Sequence, residues 1–202
     1  MAGIFIVLEG GEGSGKSTQV ALLAARLRAK GHDVLETFEP GSTPLGARVR
    51  ELLLHGDRVL DARTELFLVA ADRAEHVNEL IAPALERGDV VVCDRFSPST
   101  LAYQGAARGL DLAVVQAVCD VAEHGVAPDV VVVLDVSDEV ARGRAPESPD
   151  RVEGAGDAFH AAVRTAYRDL APGFGWVLVD ANGPIDDVEA KVWAAVAGFV
   201  SS

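Results

Sequence analysis

Residues 8–19 read LEGGEGSGKSTQ. Gly10, Gly15, Lys16 and Ser17 stand there in the spacing G-x-x-x-x-G-K-S of a phosphate-binding loop. Gly10, Gly11, Gly13 and Gly15 free the backbone to turn its N–H groups onto phosphate oxygens. The helix that follows adds the partial positive charge of its N-terminus. In this pattern Lys16 reaches the β- and γ-phosphates of a nucleoside triphosphate, and Ser17 offers its hydroxyl to Mg²⁺. A triphosphate so held can drive a conformational switch, power mechanical work or pass its terminal phosphoryl group to an acceptor. The loop alone does not choose among these.

A second constellation does more. VVVCDRF, 90–96, places Asp94 at the end of an apolar run, where a carboxylate can help organise Mg²⁺. Arg95 cannot point the same way along a strand, so it turns toward an acceptor phosphate; a salt bridge capping the strand is the bland alternative. The sequel SPSTLAYQG, 97–105, gathers Ser99, Thr100, Tyr103 and Gln104 on a short helix. The Gln104 amide donates and accepts, which suits a nucleobase edge, and Tyr103 can wall off a sugar hydroxyl. In FEPGSTPLGARVRELLL, 38–54, Pro40–Gly41 forces a turn and Arg50 follows on a helix. Arg73 lies on a long helix facing the same cleft. Taken singly, each of these arginines fits a solvated surface charge equally well.

The elements that must position these groups follow from hydrophobic patterning. The runs 4–8, 33–38, 89–94, 128–136 and 175–181 are continuous and β-branched, as in strands buried on both faces of a parallel sheet. Helical patterns lie between them: 16–30, with Val20, Leu23 and Leu27 on one face; 62–88, bent at Pro83; 111–125; 155–171; and 184–200. Alternation of this kind predicts one α/β doubly wound domain over 1–202, with ligands beyond the carboxyl ends of its strands. The segment 142–156 breaks the pattern. It is rich in Pro, Gly and charge and carries Arg142, Arg144 and Arg151, which reads as a mobile lid or as a solvated loop.

Composition sets limits. The 202 residues carry a formal net charge of −13, which disfavours nucleic acid as a partner. Lys16, Lys30 and Lys191 are the only lysines, so Arg dominates the cations. Cys93 and Cys119 stand alone in apolar runs, which argues against disulfides and zinc and suits a reducing cytosol. No signal peptide and no apolar run of membrane-spanning length is seen, so no membrane association is expected.

Together EGGEGSGKST, EPGST, the Ala71-Asp72-Arg73 of the long helix, DRFSPSTLAYQG, ARGL, PDVVVVLDV, DRVE and FHAAVRTAY resemble the thymidylate kinases over nearly the whole chain. The resemblance implies a P-loop nucleoside monophosphate kinase fold with a five-stranded parallel sheet. It implies transfer of the ATP γ-phosphoryl group to thymidylate, for thymidine triphosphate synthesis, with Mg²⁺ as cofactor and a cytoplasmic homodimer. Residues Gly10 to Thr18, with Glu12 and Ser14 among them, would hold ATP, and Glu12 would approach the acceptor's 3′-hydroxyl. Arg95 would bridge acceptor and transferred phosphate. Glu39, Pro40, Arg50, Arg73, Ser99 and Thr100 would line the acceptor site, with Gln104 reading the thymine edge and Tyr103 disfavouring a 2′-hydroxyl. Some members carry a catalytic arginine inside the loop. Here that place holds Glu12, Gly13 and Ser14, so the charge must come from Arg142, Arg144 or Arg151, as in the bacterial subclass. The sequence departs from the family at Val69, where an aromatic residue stacks on the thymine; Phe67 lies nearly on the opposite side of the helix.

That departure keeps another pyrimidine nucleotide open as the acceptor. A guanine-reading switch would need Asn-Lys-x-Asp, and neither Lys30 nor Lys191 follows an Asn. A non-catalytic nucleotide-binding paralogue would not need the intact set Lys16, Ser17, Asp94 and Arg95.

Overall fold

The structure is a computed structural model that describes residues 3–55, 59–144 and 150–200. Of the lid segment 142–156, residues 145–149 lie outside the described residues, as do 1–2, 56–58 and 201–202 of the domain expected over 1–202.

Five strands form one parallel sheet: β1 (Ile4–Gly10), β2 (Val34–Phe38), β3 (Val90–Asp94), β4 (Val130–Asp135) and β5 (Val177–Asp180). Their order is β2-β3-β1-β4-β5, with Leu8 of β1 opposite Asp94 of β3 and Val132 of β4. The helices are α1 (Lys16–Ala29), α2 (Pro44–Leu54), α3 (Ala62–His76), α4 (Ala82–Arg87), α5 (Ser97–Thr100), α6 (Leu112–Glu123), α7 (Asp138–Gly143), α8 (Asp157–Phe174) and α9 (Ile185–Val196).

Side chains alternate across a pleated strand, and this assigns the two layers. Ile6, Leu8, Val90, Val92, Val132 and Leu134 pack against Val20, Leu23 and Leu27 of α1 and Val188, Val192 and Val196 of α9. Phe5, Val7, Val91 and Cys93 face the opposite way, onto Val77, Ile81, Ala84 and Phe96. Val133 joins that second layer against Val163, Ala166 and Tyr167 of α8. Burial on both faces holds for β1 and β3 but not for the edges. In β5, Val177 and Leu178 are 37% and 42% exposed, because an edge strand has no neighbour on one side.

The bend expected at Pro83 takes the form of a π-helical turn, Val77–Ile81, joining α3 to α4. Pro83 donates no N–H and its ring crowds the carbonyl four residues back, so one wider turn relieves both conflicts. The helix ends at Gly88, whose φ of 86° is the left-handed cap a glycine supplies without strain. A second π-helical stretch, Leu101–Ala107, continues α5 and buries Tyr103 and Gln104. After β1 the chain passes to one face of the sheet; after its neighbour β3 it passes to the other. The crevice between these two exits holds Lys16, Ser17, Asp94 and Arg95.

Candidate active site

The phosphate loop joins β1 to α1. At Gly10, φ is 144° and an added Cβ would stand 2.6 Å from the Leu134 carbonyl oxygen; at Gly13, φ is 70° and the Cβ would stand 2.7 Å from that of Ala141. Only glycine lets the backbone curl this closely around an anion. Lys16 is buried, and its Nζ donates to the Gly11 carbonyl at 3.0 Å and to Ser14 Oγ at 3.4 Å. Burial, seconded by the charge of Arg95, pushes its ammonium down to about 8.

Ser17 Oγ donates to Asp94 Oδ2 at 2.7 Å. The other oxygen, Asp94 Oδ1, is buried without a hydrogen-bond partner among the described residues. A hydroxyl beside an orphaned hard carboxylate oxygen fits Mg²⁺, which uses one or two carboxylates and takes its other ligands from water and phosphate. Among the described residues no cluster of three or more His, Cys, Asp or Glu could hold a metal ion without such help.

Arg95 leaves β3 with φ of 73°, an uncommon conformation for a side-chain-bearing residue. The turn throws its guanidinium back across β1, where NH1 donates to the Gly10 carbonyl at 3.3 Å and to Ser99 Oγ at 3.1 Å, and NH2 donates to Tyr103 Oη at 3.2 Å. Glu12 lies 4.0 Å away. Arg95 therefore caps the sheet edge without being consumed by a strong ion pair. Beneath it lies Glu9, which sequence reasoning passed over. Its buried carboxylate accepts from Phe96 N, from Ser99 N and Oγ, and from Tyr167 Oη at 2.7 Å. Burial raises its carboxyl above the usual range. The available signal was an acidic residue near the end of the otherwise apolar run IFIVLE.

A cavity of about 570 Å³ opens beside the loop. Lys16, Ser17, Asp94 and Arg95 line one end, and Glu39, Pro40, Arg50, Val69, Arg73, Ser99, Thr100, Tyr103 and Gln104 line the rest. Every acceptor residue named from sequence is thus brought to the lining of one cavity. Arg50 NH1 donates to the Pro40 carbonyl at 2.9 Å. Arg73 is almost wholly buried. Its Nε and NH2 sit 3.0 and 2.9 Å from Glu39, and NH2 also donates to Thr100 Oγ1 at 3.0 Å. Glu39 in turn meets His76 Nδ1 at 2.9 Å, and His76 Nε2 meets Thr37 Oγ1 at 2.7 Å. Asp72 is a second residue missed in the sequence. Burial, seconded by the charge of Glu39, pushes its carboxyl up to about 6. Phe67 is 63% exposed and absent from the cavity wall, so no ring from that position takes the place of Val69.

The three arginines of the segment 142–156 separate. Arg144 NH1 donates to the Gly13 carbonyl at 3.3 Å, at the phosphate loop. Arg151 stands at the other end of the cavity, with Nε on the Leu53 carbonyl at 2.7 Å and NH1 3.4 Å from Glu65. Arg142 is mostly exposed, 3.9 Å from Asp157. Glu65 and its partner Arg108 were given no site role in the sequence: Glu65 lies in no motif, and Arg108 appears only within ARGL, whose letters assign it no chemistry.

The family model for thymidylate kinase matches residues 8–192. The chain is 46% identical to a thymidylate kinase of Halothermothrix orenii over 98% of each chain. It is 50% identical to one of Pseudomonas fluorescens over 95% of this chain and 94% of that one. The crystal structure of thymidylate kinase from Ehrlichia chaffeensis superposes with a TM-score of 0.79 at 32% identity, covering 97% of this chain and 99% of that one.

The depressed Lys16 ammonium has a measurable consequence. It titrates near 8 in the fold and near 10.5 when unfolded, so between those values the unfolded chain holds more protons. Stability of the free protein therefore rises with pH across that window from this group. A bound polyphosphate raises the folded value again, so binding takes up a proton and weakens as pH climbs through 8. Calorimetry with ATP at about pH 8.5 in two buffers of different ionisation heat should show proton uptake that Lys16→Met abolishes; equal heats in both buffers would refute the assignment.

Proposed function

The chain belongs to the thymidylate kinase family, and from that premise we infer that it transfers the γ-phosphoryl group of ATP to thymidylate, giving thymidine diphosphate and ADP. The observation that carries the reading is Arg95, whose left-handed backbone holds a guanidinium between the phosphate loop and the polar cavity. A donor phosphate on the loop and an acceptor phosphate in the cavity would share it. Lys16 and the N–H groups of residues Gly10 to Thr18 would hold the donor. Arg50, Arg73, Thr100, Tyr103 and Gln104 would orient the acceptor, with Glu39 and Pro40 shaping its floor. Ser17 and Asp94 would hold Mg²⁺, which supplies positive charge to the phosphate oxygens when bound. Catalysis is then positioning and charge neutralisation. The attacking phosphate oxygen is already ionised, so no side chain need act as a strong base. Glu12, 4.0 Å from Arg95, would meet the acceptor's sugar side.

Val69 supports a second reading, in which another pyrimidine monophosphate competes as acceptor, because no ring at positions 67 or 69 covers the base. We also propose a homodimer. The neighbouring helices α3 and α6 turn outward the apolar stripes Phe67, Ala71, Ala74 and Val114, Ala117, Val121, spaced at three and four residues. Phe67 is 63% and Val121 80% exposed, more than a solvated helix face needs. The cytoplasm is the proposed location, since Cys93 and Cys119 are free thiols. Among the described residues no helix is long and apolar enough to cross a membrane.

Arg144 and Arg151 should divide the work of the lid. Arg144→Ala should lower kcat by roughly 100-fold, the scale of one lost transition-state charge contact. Arg151→Ala should raise KM for thymidylate and leave kcat within about 3-fold. The reverse pattern in steady-state kinetics would overturn this division. A panel of nucleoside monophosphates with Mg-ATP, followed by ADP release, should show thymidylate as the preferred acceptor. Val69→Phe should then lower its KM by roughly 5-fold to 100-fold as stacking returns; a higher KM would mean the site is already full. For the dimer, the double variant Phe67→Glu, Val121→Glu should run as a monomer in light scattering, and an unchanged mass would remove α3 and α6 from the interface.

A further inference from the structure

Glu65 sits in the first turn of α3, its side chain 3% exposed, and receives donors from three residues on two segments of the chain. Arg108 Nε and NH2 donate to it at 3.1 and 3.2 Å, Arg151 NH1 stands at 3.4 Å, and Gln104 Nε2 donates to its Oε2 at 3.4 Å. Glu65, Gln104 and Arg151 all line the cavity. The two ends of an amide have nearly the same shape and are told apart by what they meet. A carboxylate between two guanidinium groups presents only acceptor oxygens. Gln104 must therefore turn its NH₂ toward Glu65, and its Oε1 is left with no protein partner among the described residues, on the cavity side.

We propose that Glu65 is a positioning residue for acceptor specificity: it holds Gln104 with the carbonyl toward the cavity, so that the site demands an N–H from the acceptor base. The proposal rests on the thymidylate reading. Thymine and uracil carry N–H at N3 beside a carbonyl at C4. Cytosine carries a bare acceptor at N3 beside an amino group. Arg73, a donor-only side chain in the same wall, suits the C4 carbonyl and opposes the amino group. Cytosine would thus meet acceptor with acceptor and donor with donor. Turning the Gln104 amide over would suit cytosine N3, but it would set the amide oxygen against the Glu65 carboxylate. An unmatched pair of buried polar groups is the strongest basis a pocket has for rejecting a near-isostere.

The test is Glu65→Gln, with kcat/KM measured for thymidylate, deoxyuridylate and deoxycytidylate. An amide at 65 offers either end, so Gln104 is freed to present either end to the base. The ratio of thymidylate to deoxycytidylate should fall by roughly 10-fold or more, with deoxyuridylate following thymidylate because it shares the N3 proton. The swap Glu65→Gln, Gln104→Glu should regain most of the ratio. There the amide at 65 donates to a carboxylate at 104, whose other oxygen faces the cavity as an acceptor. Equal losses for all three acceptors in Glu65→Gln would mean that Glu65 only braces the fold, and would overturn the proposal. Should the single variant fail to fold, the swap, which keeps the pair's charge, decides by itself: a wild-type ratio supports the proposal and a lost ratio overturns it. Failure of the thymidylate reading itself would appear earlier, as a deoxycytidylate preference in the wild-type protein; an unchanged ratio in the variant of a thymidylate-preferring enzyme removes Glu65 alone.

Discussion

Lys16 is a buried cation whose ammonium ends on two neutral oxygens, the Gly11 carbonyl and Ser14 Oγ. Carboxylates stand near it, but among the described residues none is hydrogen-bonded to it. An unneutralised charge at that depth is costly, which is why its ammonium titrates low. The cost is withdrawn when a phosphate arrives. The rest of the loop serves this arrangement. The left-handed glycines bring the carbonyls in, and α1 starts at Lys16 itself, so its free N–H groups point at the same place.

The neighbouring cations are treated differently according to their task. Arg95 is held by neutral acceptors, Gly10, Ser99 and Tyr103, and stays available to an anion. Arg73 is tied to Glu39 and Thr100, and its fork is aimed and stiff. The buried carboxylates explain the aim. Glu9 locks the start of α5 to β1 and to Tyr167 of α8, so the polar residues after β3 cannot drift from the loop. Glu39 and Glu65 do the same for the two ends of α3. Such pairs contribute little net stability. They restrict geometry, and phosphoryl transfer depends on geometry.

The strong acidity of the chain lies mostly outside this site. A net charge of −13 coexists with a cavity whose lining sets Lys16, Arg50, Arg73, Arg95 and Arg151 among eight carboxylates. An overall negative field disfavours polyanions in general, while Lys16 and Arg95, each held by neutral acceptors, stay open to a small anion that fits between them.

By itself the sequence determined the parallel sheet, the phosphate loop and the polar set that lines the cavity beside it. Each of these is written in local sequence: continuous apolar runs in β1 and β3, G-x-x-x-x-G-K-S after a strand, polar residues grouped on a short helix. The bend at Pro83 was legible too, because proline acts on its own backbone, though its π-helical form was not. What spacing could not carry was decided by tertiary structure. Glu9, Asp72, Glu65 and Arg108, three of them inside recognisable motifs, have no readable task until the strands and helices bring their partners, tens of residues away, within hydrogen-bond reach. The arginines at 144 and 151 look equivalent as letters, yet one reaches the phosphate loop and the other Glu65. A long flexible side chain takes its role from the nearest carbonyl or carboxylate, and only the folded chain says which one that is.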